Sequence, residues 1–139
     1  MRHNEPVSKI MSSQILTVHA AQKVSAVYAL LTENRVHHVP VVNGNKLVGL
    51  VSSTDMMKLS LDAYGTPDSA NTAYFDSQFT IDDVMSSDLV TIKADDSIRS
   101  AAEMLSTGAR HSLPVVDGDG ALVGIVTTTD LVKYLLDQY

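Results

Sequence analysis

Apolar and polar positions alternate in two blocks of the same design. In the first, Val24, Val27, Tyr28 and Leu31 fall at i, i+3, i+4 and i+7, the stripe of a helix with one buried face. Two β-branched runs follow, Val39–Val42 and Leu47–Val51, around Asn43-Gly44-Asn45, which predicts a β-hairpin. Pro40, near the start of the first run, suits a strand entry or an edge. Ser52-Ser53-Thr54 then lead into Asp55-Met56-Met57-Lys58-Leu59, hydroxyl N-caps opening a second helix. A short β-rich piece, Ile15–Val18, stands ahead of the block.

The second block repeats the first. Leu89–Ile92 is its β-rich piece, and Asp95-Asp96-Ser97 signals the start of a helix carrying Ile98, Ala101, Ala102 and Leu105. Pro114-Val115-Val116, a polar turn and Gly124-Ile125-Val126 predict the second hairpin, and Thr127-Thr128-Thr129-Asp130 open the last helix. Met11-Ser12-Ser13 matches Met85-Ser86-Ser87, Thr17 matches Thr91, His37 matches His111 and Pro40 matches Pro114, all at an offset of 74 residues. Past the turn the offset is 75, because Asp117-Gly118-Asp119-Gly120 is one residue longer than its counterpart. A constant offset broken once, in a loop, is the mark of duplication. A site built on the repeated motif is therefore expected twice.

The expected organisation is a repeat over 1–62, a connector over 63–80 and a second repeat over 81–139. Each half is too small to be stable alone, so the two form one module. The stretch from Leu61 to Thr80 is polar and broken by Gly65 and Pro67, which suits a connector with a short helical piece. Its length suggests a part that moves or meets a partner, while Tyr64, Tyr74, Phe75 and Phe79 suggest that some of it packs down.

Composition narrows the function classes. A net charge of -6, with lysines and arginines scattered singly, argues against general binding to nucleic acid or to anionic membranes. No apolar run reaches the length of a membrane span, and the N-terminus lacks a signal-peptide pattern. The absence of cysteine removes disulfide and thiolate chemistry and fits a cytoplasmic setting.

The repeated chemistry lies at the strand-to-helix junction. The first N–H groups of a helix lack intrahelical partners and favour an anion. Ser52, Ser53 and Thr54, or Thr127, Thr128 and Thr129, add hydroxyls suited to phosphate oxygens. An ionised Asp55 or Asp130 only accepts hydrogen bonds, so it suits a pair of hydroxyl donors such as a ribose diol. Hydroxyls for phosphate beside a carboxylate for a diol point to a nucleotide. Ordinary helix capping explains the same residues without any ligand, and the two roles are compatible.

These motifs resemble a tandem pair of cystathionine-β-synthase (CBS) domains, a Bateman module. The marks are the Met-Ser-Ser entry, the His-x-x-Pro-Val-Val strand and the Gly-h-h-Ser/Thr-x-x-Asp junction, each present twice, over roughly Val7 to Leu61 and Ile81 to Tyr139. The resemblance implies an α/β (α+β) fold of two β-α-β-β-α repeats, packed by their sheets around a pseudo-two-fold axis. It implies binding of AMP, ADP, ATP or S-adenosylmethionine, magnesium arriving with a polyphosphate, a homodimer, and regulation of a separate effector protein. Carried over by position, Asp55 and Asp130 resemble ribose-binding acids. Ser52, Thr54, Thr127 and Thr129 resemble phosphate-side hydroxyls. His37, His38 and His111 stand where basic phosphate contacts are common, and Thr17 and Thr91 where the adenine edge is read. Pro40 and Pro114 frame these positions. Ser112 departs from the pattern, standing where repeat one has His38; Arg110 lies close by in sequence.

A protein-held metal site is not expected. His37 and His38 are neighbours, so on a strand they point to opposite faces, and His3 and His19 match no ligand spacing. No nucleophile elbow or phosphate-binding Gly-Lys-Ser/Thr loop is present, so catalysis is not expected either. The reading is a stand-alone adenine-nucleotide sensor; the alternative is a structural dimerisation module without bound nucleotide. Val27, Leu31, Met56, Leu59, Leu131 and Leu135 fit a dimer interface and fit a monomer core equally well.

Overall fold

The computed structural model describes residues 5–34, 36–62 and 76–139, with the backbone alone for 59–62. The chain divides into two compact units, one of Leu16–Leu89 and one that joins Met1–Ile15 to Val90–Tyr139. Each unit is a three-stranded mixed sheet covered by helices, and each is built from parts of both repeats.

The first unit contains β1 (Val18–His19), α1 (Val24–Asn34), β2 (His38–Asn43), β3 (Lys46–Ser52), α2 (Ser53–Asp62) and α3 (Ile81–Val84). Its sheet runs β1-β2-β3, with β1 parallel and β3 antiparallel to β2. The hairpin closes through Gly44, whose φ of 66° is the left-handed backbone a two-residue turn requires. Val39, Val41 and Val51 project from one sheet face onto Val24, Val27 and Leu31 of α1, with Met56 and Ile81 completing the core. Tyr28, expected on the buried stripe, is 51% exposed, while Val24, Val27 and Leu31 form the buried contact with the sheet and Leu30 packs beside them. Residue 23, where an N-cap would stand, is a lysine. The cap comes instead from Asp76, whose carboxylate accepts from Ser25 N–H at 2.9 Å and Ser25 Oγ at 2.7 Å.

The second unit contains a 3-10 turn (Val7–Lys9), β4 (Ile92–Lys93), α4 (Ile98–Leu105), β5 (Ser112–Val116), β6 (Leu122–Thr127) and α5 (Thr128–Asp137). Its sheet runs β4-β5-β6 with the same parallel and antiparallel pairing. Ser97 is the N-cap of α4, its hydroxyl accepting from Ser100 N–H at 3.0 Å. Val7 is fully buried in this unit's core beside Leu113, Val115 and Val126.

The two Met-Ser-Ser entries exchange places. Ser86 and Leu50 trade backbone hydrogen bonds of 3.0 and 2.9 Å, and Ser12 and Ile125 do the same at 2.9 Å each. Each entry therefore bridges the outer strand of the other repeat's hairpin and covers an otherwise open sheet edge. Gly49 and Gly124 make room for this. A Cβ on Gly49 would lie 2.2 Å from Met85 Sδ, and one on Gly124 would lie 2.5 Å from Met11 Sδ.

The β-rich pieces are shorter than their composition suggests. Only Val18–His19 and Ile92–Lys93 are strands, since β2 and β5 offer parallel partners at just two residues each. Of the connector, residues 61 and 62 complete α2 and residues 76–78 are helical, while Phe79 packs on the first core. Tyr64, Tyr74 and Phe75 lie outside the described residues. Among the described residues no helix is long and apolar enough to cross a membrane.

Candidate functional site

Both hydroxyl-to-Asp motifs fold into reciprocal capping boxes. Ser52 N–H donates to Asp55 Oδ2 at 2.9 Å, and Asp55 N–H donates to Ser52 Oγ at 3.2 Å. At the other junction Thr127 N–H donates to Asp130 Oδ2 at 2.8 Å, and Asp130 N–H donates to Thr127 Oγ1 at 3.2 Å. The box satisfies two of the helix's orphan donors. It also fixes hydroxyl and carboxylate side by side, half-buried, with one carboxylate oxygen held in the box. The same geometry caps the helix and presents the candidate hydroxyl and carboxylate together.

The strand preceding each box completes the junction. His37 C=O accepts from Ser53 N–H at 2.9 Å, and His111 C=O accepts from Thr128 N–H at 3.0 Å. These backbone bonds tie the first helical turn to the entry of β2 or β5. Across the ladder His38 stands opposite Ser52, and Ser112 opposite Thr127. Directly paired residues share a sheet face, so His38, Pro40 and Ser52 lie on the face away from the valine core. Ser112, Pro114 and Thr127 do the same in the second unit. Thr17 and Thr91 are exposed and immediately precede β1 and β4, the parallel neighbours of β2 and β5.

Not every candidate joins these faces. Thr54 and Thr129 are exposed on the first turns of α2 and α5. His111 is exposed and Arg110 half-buried, both before β5 begins. His37 is also exposed, and with Tyr28, Leu31, Met56 and Met57 it lines an apolar cleft of ≈ 530 Å³ on the α1–α2 side of the first unit. Val27, Leu31 and Met56 belong to the first core and Leu131 packs on the second. Leu135 is exposed together with Val132 and Leu136; the Leu59 side chain lies outside the described residues. No group of three metal-ligating side chains occurs among the described residues. Ser112 is a position that the motif reading treats only as a departure, yet it is buried at 4% exposure.

A sheet-and-helix unit present twice, with a hydroxyl–carboxylate box at each strand-to-helix junction, defines a class of tandem-repeat module. The chain belongs to the CBS domain family, whose model matches residues 7–62 and 81–137. Among solved structures, CBSX2 in complex with AMP is 26% identical with a TM-score of 0.80, covering 96% of this chain and 98% of that one. The CBS domain pair of protein MJ0100, in complex with 5′-methylthioadenosine and S-adenosyl-L-methionine, is 25% identical with a TM-score of 0.77, covering 96% and 98%. Protein MJ1225 of Methanocaldococcus jannaschii is 28% identical over 133 residues. The chain covers 47% of that protein, and 24% of a 28% identical homoserine O-acetyltransferase of Methanohalobium evestigatum. It thus spans half or less of the first curated relatives it matches.

Proposed function

We propose that this chain is a regulatory module that binds an adenosine-containing ligand at its strand-to-helix junctions and passes the bound state to a partner protein. The observation that carries the reading is the pair of boxes, each presenting a hydroxyl and a carboxylate at a helix N-terminus. AMP in one relative and 5′-methylthioadenosine with S-adenosyl-L-methionine in another support the ligand class, and ADP and ATP, the latter with magnesium, belong to it. The ligand contacts are Asp55 and Asp130 for the ribose and the hydroxyls of Ser52, Thr54, Thr127 and Thr129 for phosphate or its replacement. The module is non-catalytic and cytoplasmic. It assembles as a homodimer through helix faces that keep Val132, Leu135 and Leu136 exposed. Ligand changes the partner only as far as it binds two shapes of the module unequally.

The test uses asparagine, whose side-chain oxygen can still accept the N-cap N–H in the box but which lacks the charge that grips a diol. Thermal shifts are measured with AMP, ADP, ATP, S-adenosylmethionine and guanine nucleotides on the wild type, Asp55→Asn and Asp130→Asn. Ligand at about 100 times its Kd adds roughly 2.7 kcal/mol, a rise of about 5–10 °C for a chain of this size. Adenosine ligands are expected to raise Tm, and each substitution to remove part of the rise while leaving ligand-free Tm nearly unchanged. A flat panel on folded, dimeric protein refutes the sensor and leaves the structural dimerisation module.

A further inference from the structure

Met11 and Met85 occupy matching seats in the two units. A Cβ on Gly49 would lie 2.2 Å from Met85 Sδ, and a Cβ on Gly124 would lie 2.5 Å from Met11 Sδ. Each sulfur therefore fills the space where a side chain would project from the outer strand of a hairpin, β3 or β6. Next to each seat the entry segment makes its two backbone bonds, Ser86 with Leu50 and Ser12 with Ile125. These bridges cover the outer edges of the two three-stranded sheets. Both methionines are half-buried at the margin of a core, so neither side chain is sealed from solvent. The chain has no cysteine, and the thioether is the sulfur that an oxidant meets.

A peroxide oxidises a thioether in one two-electron step. A sulfur lone pair attacks one peroxide oxygen, the O–O bond breaks, that oxygen stays on sulfur and the other leaves as water. The product is bulkier at sulfur, polar and a hydrogen-bond acceptor. The seat suits none of these properties. Its floor is a glycine Cα with no room for even a methyl group. The N–H groups of Leu50, Ser86, Ser12 and Ile125 are already donated across the bridges. At Gly124 the Ser12 carbonyl oxygen stands 3.1 Å from the Cβ position, which sets acceptor against acceptor. A buried acceptor without a donor disfavours the arrangement that holds it, so the sulfoxide leaves its seat and the bridge beside it opens.

We propose that Met11 and Met85 are oxidation sites through which a peroxide-class oxidant unlocks the two entry segments. Oxidation releases the Ser12–Ile125 and Ser86–Leu50 bridges and bares the outer edges of β3 and β6. Reduction of the sulfoxides closes them again. The device is independent of any bound ligand.

The test treats the full chain with hydrogen peroxide and follows it by peptide mass spectrometry, melting and amide hydrogen exchange. Met57, 65% exposed on α2, is the reference for an exposed methionine. Sulfoxide is expected at Met11 and Met85, with Tm lowered by about 3–10 °C and exchange about tenfold faster at the four bridge amides. Methionine sulfoxide reductases are expected to reverse both changes. The double variant Met11→Leu, Met85→Leu keeps the side-chain volume without the sulfur, so peroxide should leave its Tm and exchange unchanged, while Met57→Leu should respond as the wild type does. Should the double variant fail to fold, reductase reversal on the wild type carries the test. Met11 and Met85 that stay unmodified long after Met57 is fully oxidised overturn the proposal. So does their oxidation with unchanged exchange at the bridge amides, and so does a peroxide-induced fall in Tm that persists in the double variant.

Discussion

Replacing Gly49 by alanine tests the exchange of entry segments directly. The added methyl would sit 2.2 Å from Met85 Sδ, 2.8 Å from its Cγ and 3.1 Å from its Cβ. The first distance is about 1.3 Å short of the roughly 3.5 Å at which apolar atoms begin to attract. The near end of the methionine is crowded as well as its sulfur, so a rotamer change alone does not relieve the contact. Overpacking of this kind costs about 1–3 kcal/mol, and the stiffer unfolded chain returns about 0.4–1 kcal/mol. The expected net loss is about 1–2 kcal/mol, or about 3–7 °C in Tm at roughly 2.1 cal/mol/K per residue. Met85→Ala alone loses a half-buried side chain packed on the first core and costs a similar amount. In the double variant the alanine methyl occupies part of the vacated space, so the two losses should overlap by about 1 kcal/mol or more. Urea unfolding of the four proteins, with unchanged m-values, measures the coupling. Losses that add to within about 0.5 kcal/mol would show that Met85 is not seated on Gly49, and the exchanged arrangement would fall with it.

At the second unit the same cycle on Gly124→Ala and Met11→Ala should show weaker rescue. There the new Cβ also meets the backbone oxygen of Ser12 at 3.1 Å, which removal of the methionine side chain does not clear; full rescue in urea unfolding would contradict this. Asp76→Ala should cost about 1 kcal/mol, the usual range for losing an N-cap, and speed hydrogen exchange at the start of α1. Asp76→Asn should recover much of that loss, and unchanged exchange in both variants would mean that α1 does not depend on this cap.

Much of the fold is legible because its signals are local. The hairpins announce themselves by β-branched runs around glycine turns, and α4 by Ser97 ahead of Ile98, Ala101 and Leu105, all buried as expected. The cap of α1 is not legible, because residue 23 is a lysine and its replacement stands 51 residues away from Ser25. The exchange is hidden for the same reason. Met11 and Gly124 lie near opposite ends of the chain, and periodicity says nothing about distant partners. One signal does point to it: a glycine inside each β-rich run marks close approach by other atoms. For the site, spacing fixes the Ser52–Asp55 and Thr127–Asp130 boxes, but the burial of Ser112 and the turn of His37 toward the α1–α2 cleft depend on register and packing.

The capping boxes also explain how two copies of one motif can come to differ. In each unit the hydroxyl and the acid hold the start of a helix, so substitution there sacrifices about 1 kcal/mol of capping whatever happens to the ligand. His38 and Ser112 face Ser52 and Thr127 across the ladder, yet neither belongs to the box. A duplicated module that must keep both helices capped varies least at the box, and the paired strand-entry position holds an imidazole in one unit and a hydroxyl in the other. The boxes stay alike because each holds the start of a helix, and the strand-entry residue paired with each cap, which lies outside the box, is where the two copies differ.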